Sequence, residues 1–105
     1  MSGLSTHILD TANGRPAAGV TVTLFRDANL IGAAATNADG RIPKLLPPDV
    51  SLETGVYRLV FDIAAHFPNA FFPEVIIVFQ VTDADAHYHV PLLLSPFGYT
   101  TYRGS

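Results

Sequence analysis

The sequence contains no cysteine, so its 105 residues can form neither a disulfide nor a thiolate metal ligand. Charge is scarce as well. Only 14% of the residues are Asp, Glu, Lys or Arg, and the six basic ones are spread singly along the chain. A protein that follows a phosphate backbone needs clustered Lys and Arg, so with a formal net charge of −3 nucleic-acid binding is not expected. Long apolar runs are also missing. The longest, Val75 to Phe79, falls far short of the roughly 20 residues that span a bilayer as a helix. The N-terminus Met1-Ser2-Gly3-Leu4 has no basic region followed by an apolar stretch, and the expected location is cytoplasmic.

What is present is apolar. Hydrophobic residues make up 49% of the chain. A domain of this size buries about two thirds of the surface its unfolded chain exposes. That leaves apolar side chains over, so self-association is expected of a single domain spanning residues 1–105.

Turn residues punctuate the chain often, and the segments between them are short. Leu4 to Leu9 runs into Asn13-Gly14-Arg15-Pro16, a strong turn signal. Val20 to Phe25 alternates and is rich in β-branched residues, which suits a half-buried strand. A strand around Ile31 to Thr36 meets Asn37-Ala38-Asp39-Gly40, where Asn and Asp can bond their own backbone and Gly accepts positive φ. Pro43, Pro47 and Pro48 keep the next segment irregular. Val56 to Phe61 is another strand, and Asp62 is placed to cap a short helix through Ala64, Ala65 and Phe67 that Pro68 ends. Val75 to Val81 reads as an apolar strand buried on both faces or in an interface. His87 to Leu94 and Tyr99 to Tyr102 are the last strands, separated by Ser95-Pro96-Phe97-Gly98. Seven or eight short strands with one helix predict an all-β fold, an antiparallel sandwich.

Few residues are suited to chemistry. His87 and His89 stand two apart on a strand and so share a face. Three readings of the pair stay open: solvated histidines near a strand start, a zinc site completed by His7, or general acid–base catalysis by a group that titrates near neutrality. His66 is read as a residue at the solvent edge. Arg41 follows a tight turn; it is either a loop arginine facing solvent or a planar donor for an oxygen-rich ligand. Arg15 reads as a surface residue. Tyr99 to Ser105 carries aromatic residues straight into Arg-Gly-Ser. Gly-Ser at a chain end is also a common remnant of cloning, and composition does not separate that from a functional tail.

Leu4-Ser5-Thr6-His7-Ile8-Leu9-Asp10, Asn13-Gly14-Arg15-Pro16-Ala17 and Thr36-Asn37-Ala38-Asp39-Gly40-Arg41 resemble segments of the transthyretin-like 5-hydroxyisourate hydrolases. So does the closing run from His87-Tyr88-His89-Val90-Pro91-Leu92-Leu93-Leu94-Ser95-Pro96 to Tyr102-Arg103-Gly104-Ser105, whose last four residues separate the hydrolases from the hormone carrier. The resemblance implies a sandwich of two four-stranded sheets and a homotetramer, a dimer of dimers with its active sites between the dimers. It implies hydrolysis of 5-hydroxyisourate to 2-oxo-4-hydroxy-4-carboxy-5-ureidoimidazoline in urate degradation, with neither metal nor organic cofactor. The catalytic residues it carries over are His7, Arg41, His89 and Ser105. Arg41, His7, Tyr102 and Arg103 would contact substrate. Ser105 would orient a histidine or the water through its hydroxyl or terminal carboxylate.

Two stretches depart from the family pattern. Arg26 to Leu30 and Ala64 to Phe72 are shorter than usual, which puts the helix length in doubt. The competing expectation is a transthyretin-type carrier of a small aromatic ligand. A weaker third is a carbohydrate-binding or adhesion sandwich, which would favour aromatics on exposed loops.

Overall fold

A computed structural model describes residues 3–105. Nine strands form two sheets: β1 (Gly3–Asp10), β2 (Arg15–Pro16), β3 (Thr21–Arg26), β4 (Asn29–Ala35), β5 (Arg41–Ile42), β6 (Gly55–Asp62), β7 (Glu74–Val81), β8 (His87–Ser95) and β9 (Gly98–Thr101). The first sheet runs β2-β1-β8-β9, with β5 also paired to β1; the second runs β4-β3-β6-β7. This is the expected sandwich, with the two-residue β5 as an addition to the first sheet.

Alternation decides what is buried. Leu4, Thr6 and Ile8 of β1 and Tyr88, Val90, Leu92 and Leu94 of β8 point inward, against Val22 and Leu24 of β3 and Leu59 and Phe61 of β6. Fully burying one such Leu or Phe contributes about 1.5–3 kcal/mol, so this single core holds the sheets together. Thr6 is polar among them and is satisfied there, its hydroxyl donating to Val90 O at 2.6 Å.

One pairing is not antiparallel. β1 and β8 run parallel over eight residue pairs, from Gly3 opposite His87 to Asp10 opposite Leu94. They lie far apart in sequence, so no hairpin constrains their direction. The parallel register sets Ser5 beside His89.

The expected helix does not form. Phe67 N–H donates to Ile63 O at 2.8 Å, closing one turn, and the chain then bends away. Pro68 has no N–H to continue the ladder. The Ile63 and Ala64 amides meanwhile donate to Pro73 O at 3.0 and 2.9 Å, tying the shortened loop to its own far end. The short Arg26 to Leu30 stretch is a tight hairpin in which Asp27 adopts φ 54°.

β7 is buried on one face only. Val75, Ile77 and Val81 are inside, whereas Ile76 and Val78 are 47% and 63% exposed. Of the two readings of that apolar run, burial on both faces is excluded within one chain.

Candidate active site

The outer face of the first sheet carries the polar cluster. Because β1 and β8 are parallel and in register, Ser5 and His7 share this face with His87 and His89. The β1 edge on the other side takes β5, and there His7 is opposite Arg41.

Arg41 is delivered by the turn before it. Asn37 Oδ1 accepts from the Asp39 and Arg41 amides at 2.9 and 3.0 Å, and Asn37 N–H donates to Arg41 O at 2.9 Å. Gly40, at φ 71°, passes so close to β1 that a Cβ would lie 2.5 Å from Ile8 O. Its own carbonyl accepts the Ile8 amide at 2.8 Å. Only glycine fits this crossing, and the crossing is what sets Arg41 beside His7.

The tail arrives from the opposite side. β9 pairs with β8 from Ser95–Gly98 to Leu92–Thr101, and Gly104 bridges His89 in the same register, its N–H donating to His89 O at 2.8 Å. The strand is interrupted opposite Pro91, which has no N–H to offer Tyr102. A Cβ on Gly104 would lie 2.5 Å from His89 Cδ2, so the imidazole packs on a bare backbone. Ser105 then joins Ser5, Thr6, Arg41, Pro43, His87 and His89 around a cleft of about 280 Å³.

Four expected site residues are therefore gathered on one face: His7 and Arg41 as a cross-strand pair, His89 two residues along the neighbouring strand from Pro91, the partner of His7, and Ser105 at the cleft rim. His7, opposite Arg41, stands beside this cleft without lining it, and Tyr102 and Arg103 do not line it either. Those last two border a second one, also about 280 Å³, between the tail and β7, and His89 contributes to both. Arg103 stacks its guanidinium 4.4 Å from the ring centroid of Tyr88. The Tyr88 hydroxyl accepts the Thr82 and Asp83 amides at 3.2 and 3.0 Å. Arg103 thus anchors the tail.

Burial, then the Arg41 guanidinium, pull His89 below the ordinary histidine value, with His7 and His87 acting in the same direction. Burial and Arg41 likewise lower His7, against the opposing pull of Asp39. Both imidazoles are held in the neutral, proton-accepting form near pH 7. Ser5, which the sequence reading passed over, has its Oγ 2.8 Å from His87 Nε2 and 2.8 Å from His89 Nδ1. The same-face spacing of His87 and His89 was visible in sequence, but the place of Ser5 beside them depends on the parallel pairing. Among the described residues no group of three or more His, Cys, Asp and Glu is arranged to hold a metal ion.

His66 is elsewhere, partly buried at the solvent edge. Its Nε2–H donates to Oδ2 of the buried Asp10 at 2.9 Å, and its ring meets Phe67 edge-on at 4.6 Å.

The profile of the HIUase/Transthyretin family matches residues 4–104. The chain belongs to this family. Within the HIUase/Transthyretin family it is 48% identical to 5-hydroxyisourate hydrolase 2 of Rhizobium meliloti, over 97% of this chain and 95% of that protein. The solved structure of Klebsiella pneumoniae 5-hydroxyisourate hydrolase superimposes with a TM-score of 0.89 at 40% identity, covering 98% and 99% of the two chains. Transthyretin from Sparus aurata has the same fold, with a TM-score of 0.87 at 32% identity over 97% and 96%.

Proposed function

We propose that this chain is a 5-hydroxyisourate hydrolase. It opens the six-membered ring of 5-hydroxyisourate to 2-oxo-4-hydroxy-4-carboxy-5-ureidoimidazoline in urate degradation. The observation that carries this reading is the convergence of His7, Arg41, His89 and Ser105 on one face, in a family member nearly half identical to a hydrolase along its whole length.

Hydrolysis of a cyclic amide-like bond requires an activated water, a site for the developing oxyanion and a proton for the departing nitrogen. A neutral imidazole, that of His7 or His89, takes a proton as the water oxygen bonds to the carbonyl carbon. Arg41, its backbone fixed by its turn, holds the oxygen-rich substrate and stabilises the tetrahedral oxyanion. When the C–N bond breaks, the imidazole returns a proton to the leaving nitrogen. Ser105 orients the water or a histidine through its hydroxyl or its terminal carboxylate. Arg103, stacked on Tyr88, holds the tail so that Ser105 reaches the cleft, which neither Arg103 nor Tyr102 lines. Neither a metal nor an organic cofactor enters the scheme.

Residues 1–105 act in this reading as one hydrolase domain, in the cytoplasm, and four copies assemble as a dimer of dimers with the clefts between dimers. Two observations support assembly: the exposed apolar side chains of Ile76 and Val78, and the open edges that β7 and β9 present to solvent. Among the described residues no helix is long and apolar enough to cross a membrane.

The test is spectrophotometric. 5-Hydroxyisourate generated freshly with urate oxidase is mixed with the protein, and its ultraviolet absorbance is followed against the spontaneous decay. Acceleration is expected, and His7→Ala or His89→Ala is expected to lower turnover by about 10²–10⁴-fold, the usual loss for a general base. No acceleration by the unaltered chain would leave the ligand-carrier reading, which the likeness to Sparus aurata transthyretin supplies.

A further inference from the structure

We propose that Ser5 and His87 form a proton path behind His89, with Ser5 as a positioning residue and His87 as the outer port. The proposal rests on the hydrolase reading and deepens it.

The geometry is a chain of three groups. Ser5 Oγ lies 2.8 Å from a nitrogen of each ring, Nδ1 of His89 and Nε2 of His87. A hydroxyl has one proton, so Ser5 donates to at most one ring at a time and can accept from the other. When Ser5 donates to His87 Nε2, it accepts from His89 Nδ1–H, and His89 Nε2 is left as a free base at the far end of its ring. When Ser5 donates to His89 Nδ1, the His89 proton resides on Nε2 and the ring is an acid. The orientation of one hydroxyl therefore selects between the two roles that hydrolysis requires in sequence.

His87 is suited to the outer end. It is exposed, and it lines both the Ser5–Arg41 cleft and a larger opening of about 630 Å³ with Gly3, Leu4, Pro43 and Lys44. Gly3 is opposite His87, and a Cβ there would lie 2.9 Å from His87 Nδ1, so the bare backbone keeps that nitrogen clear. Ser5 is nearly buried, which keeps bulk water from breaking the bridge. The charged and titratable groups that act on His89 are Arg41 on β5, His7 on β1 and His87 on its own strand; Asp39, in the turn before β5, acts on His7.

Each transfer balances. As water attacks, its proton moves to His89 Nε2 and the Nδ1 proton passes to Ser5 Oγ. The Ser5 proton moves to His87 Nε2, and His87 releases its Nδ1 proton to solvent. When the ring nitrogen leaves, His89 Nε2 returns a proton to it, and the path runs backwards from solvent. His89 carries no full charge at either stage. That matters beside Arg41, where a second cation is unfavourable.

The test uses the full chain and the 5-hydroxyisourate decay assay. Ser5→Ala is expected to lower kcat about tenfold at unchanged KM, short of the ~10²–10⁴-fold lost with the base itself. Ser5→Thr, which keeps the hydroxyl, is expected to restore it. His87→Gln keeps a hydrogen-bonding group near Ser5 but cannot relay a proton. It is exposed, so folding is not at issue, and its kcat is expected to fall and to rise again with added imidazole. If the unaltered chain accelerates the reaction while Ser5→Ala and His87→Gln both show its kcat and pH profile, the path is overturned and the hydrolase reading stands. A Ser5→Ala variant that raises KM alone would also overturn it. A chain that gives no acceleration refutes the hydrolase reading instead.

Discussion

Arg41 does two things at once, and they can be separated. In the proposed reaction it is the oxyanion donor, and its charge adds to burial, the larger cause, in lowering His7 and His89. If the reaction needs a neutral imidazole, activity falls as pH drops through the histidine pKa. Because that pKa is lowered, the acid limb of kcat/KM should lie below pH 6.5, the ordinary histidine value. Arg41→Gln removes the nearby cation, so beyond its loss of rate it should move that limb to higher pH. An acid limb that stays in place would show that neither histidine is the titrating base. The residue types of the cleft were legible in sequence: the His-x-His spacing, the Arg after a tight turn, the Arg-Gly-Ser ending. Ser5 was not, since a serine on a strand has no signal until the strand beside it is known. The role of Gly104 was hidden for the same reason, because its necessity comes from a ring 15 residues earlier in the chain.

At the scale of elements, Asp10 and His66 join the end of β1 to the loop between β6 and β7. Burial alone would raise the Asp10 carboxyl, but hydrogen bonds from Asn13 and His66 outweigh it and hold the group below its ordinary value. A carboxyl lowered in this way adds stability above its unfolded pKa and loses it as pH falls through the folded one. His66→Ala leaves a buried acceptor short of a donor, at a cost of about 1–3 kcal/mol. Its thermal midpoint should therefore lie below that of the unaltered chain near neutral pH, and the gap should close below the ordinary carboxylate range. A gap independent of pH would mean that the contact is only packing. The strands were readable from alternation and turn residues. The helix was misread because a cap at Asp62 and three residues of pattern cannot outweigh Pro68 and the Pro73 carbonyl, which takes two amides. β2 and β5 are two residues each, too short for any periodicity to register.

For the whole molecule, the apolar surplus seen in composition reappears as surface. Val56, Ile76 and Val78 lie exposed on the outer face of β6 and β7, and β7 is an edge strand. The proposed assembly predicts a light-scattering mass several times the 11.3 kDa of one chain. Val78→Lys, a charge placed on the edge as natural monomers do to block pairing, should shift the mass toward one chain and lower turnover with it. Full turnover in a monomer would show that the site is complete in a single copy.

The absent amide of Pro91 has a consequence for how the cleft moves. Two residues of tail, Tyr102 and Arg103, cross β8 without strand pairing before Gly104 rejoins it through one backbone bond. The tail beyond Thr101 is thus held by one backbone bond and the Arg103 stack on Tyr88, fewer ties than the core ladder has, and it should open before that ladder does. Deuterium exchange at the Gly104 amide would then follow opening of the cleft, and exchange at the Leu92 amide would follow unfolding of the sandwich. Two clocks on one strand line would separate the motion that serves turnover from the motion that ends it.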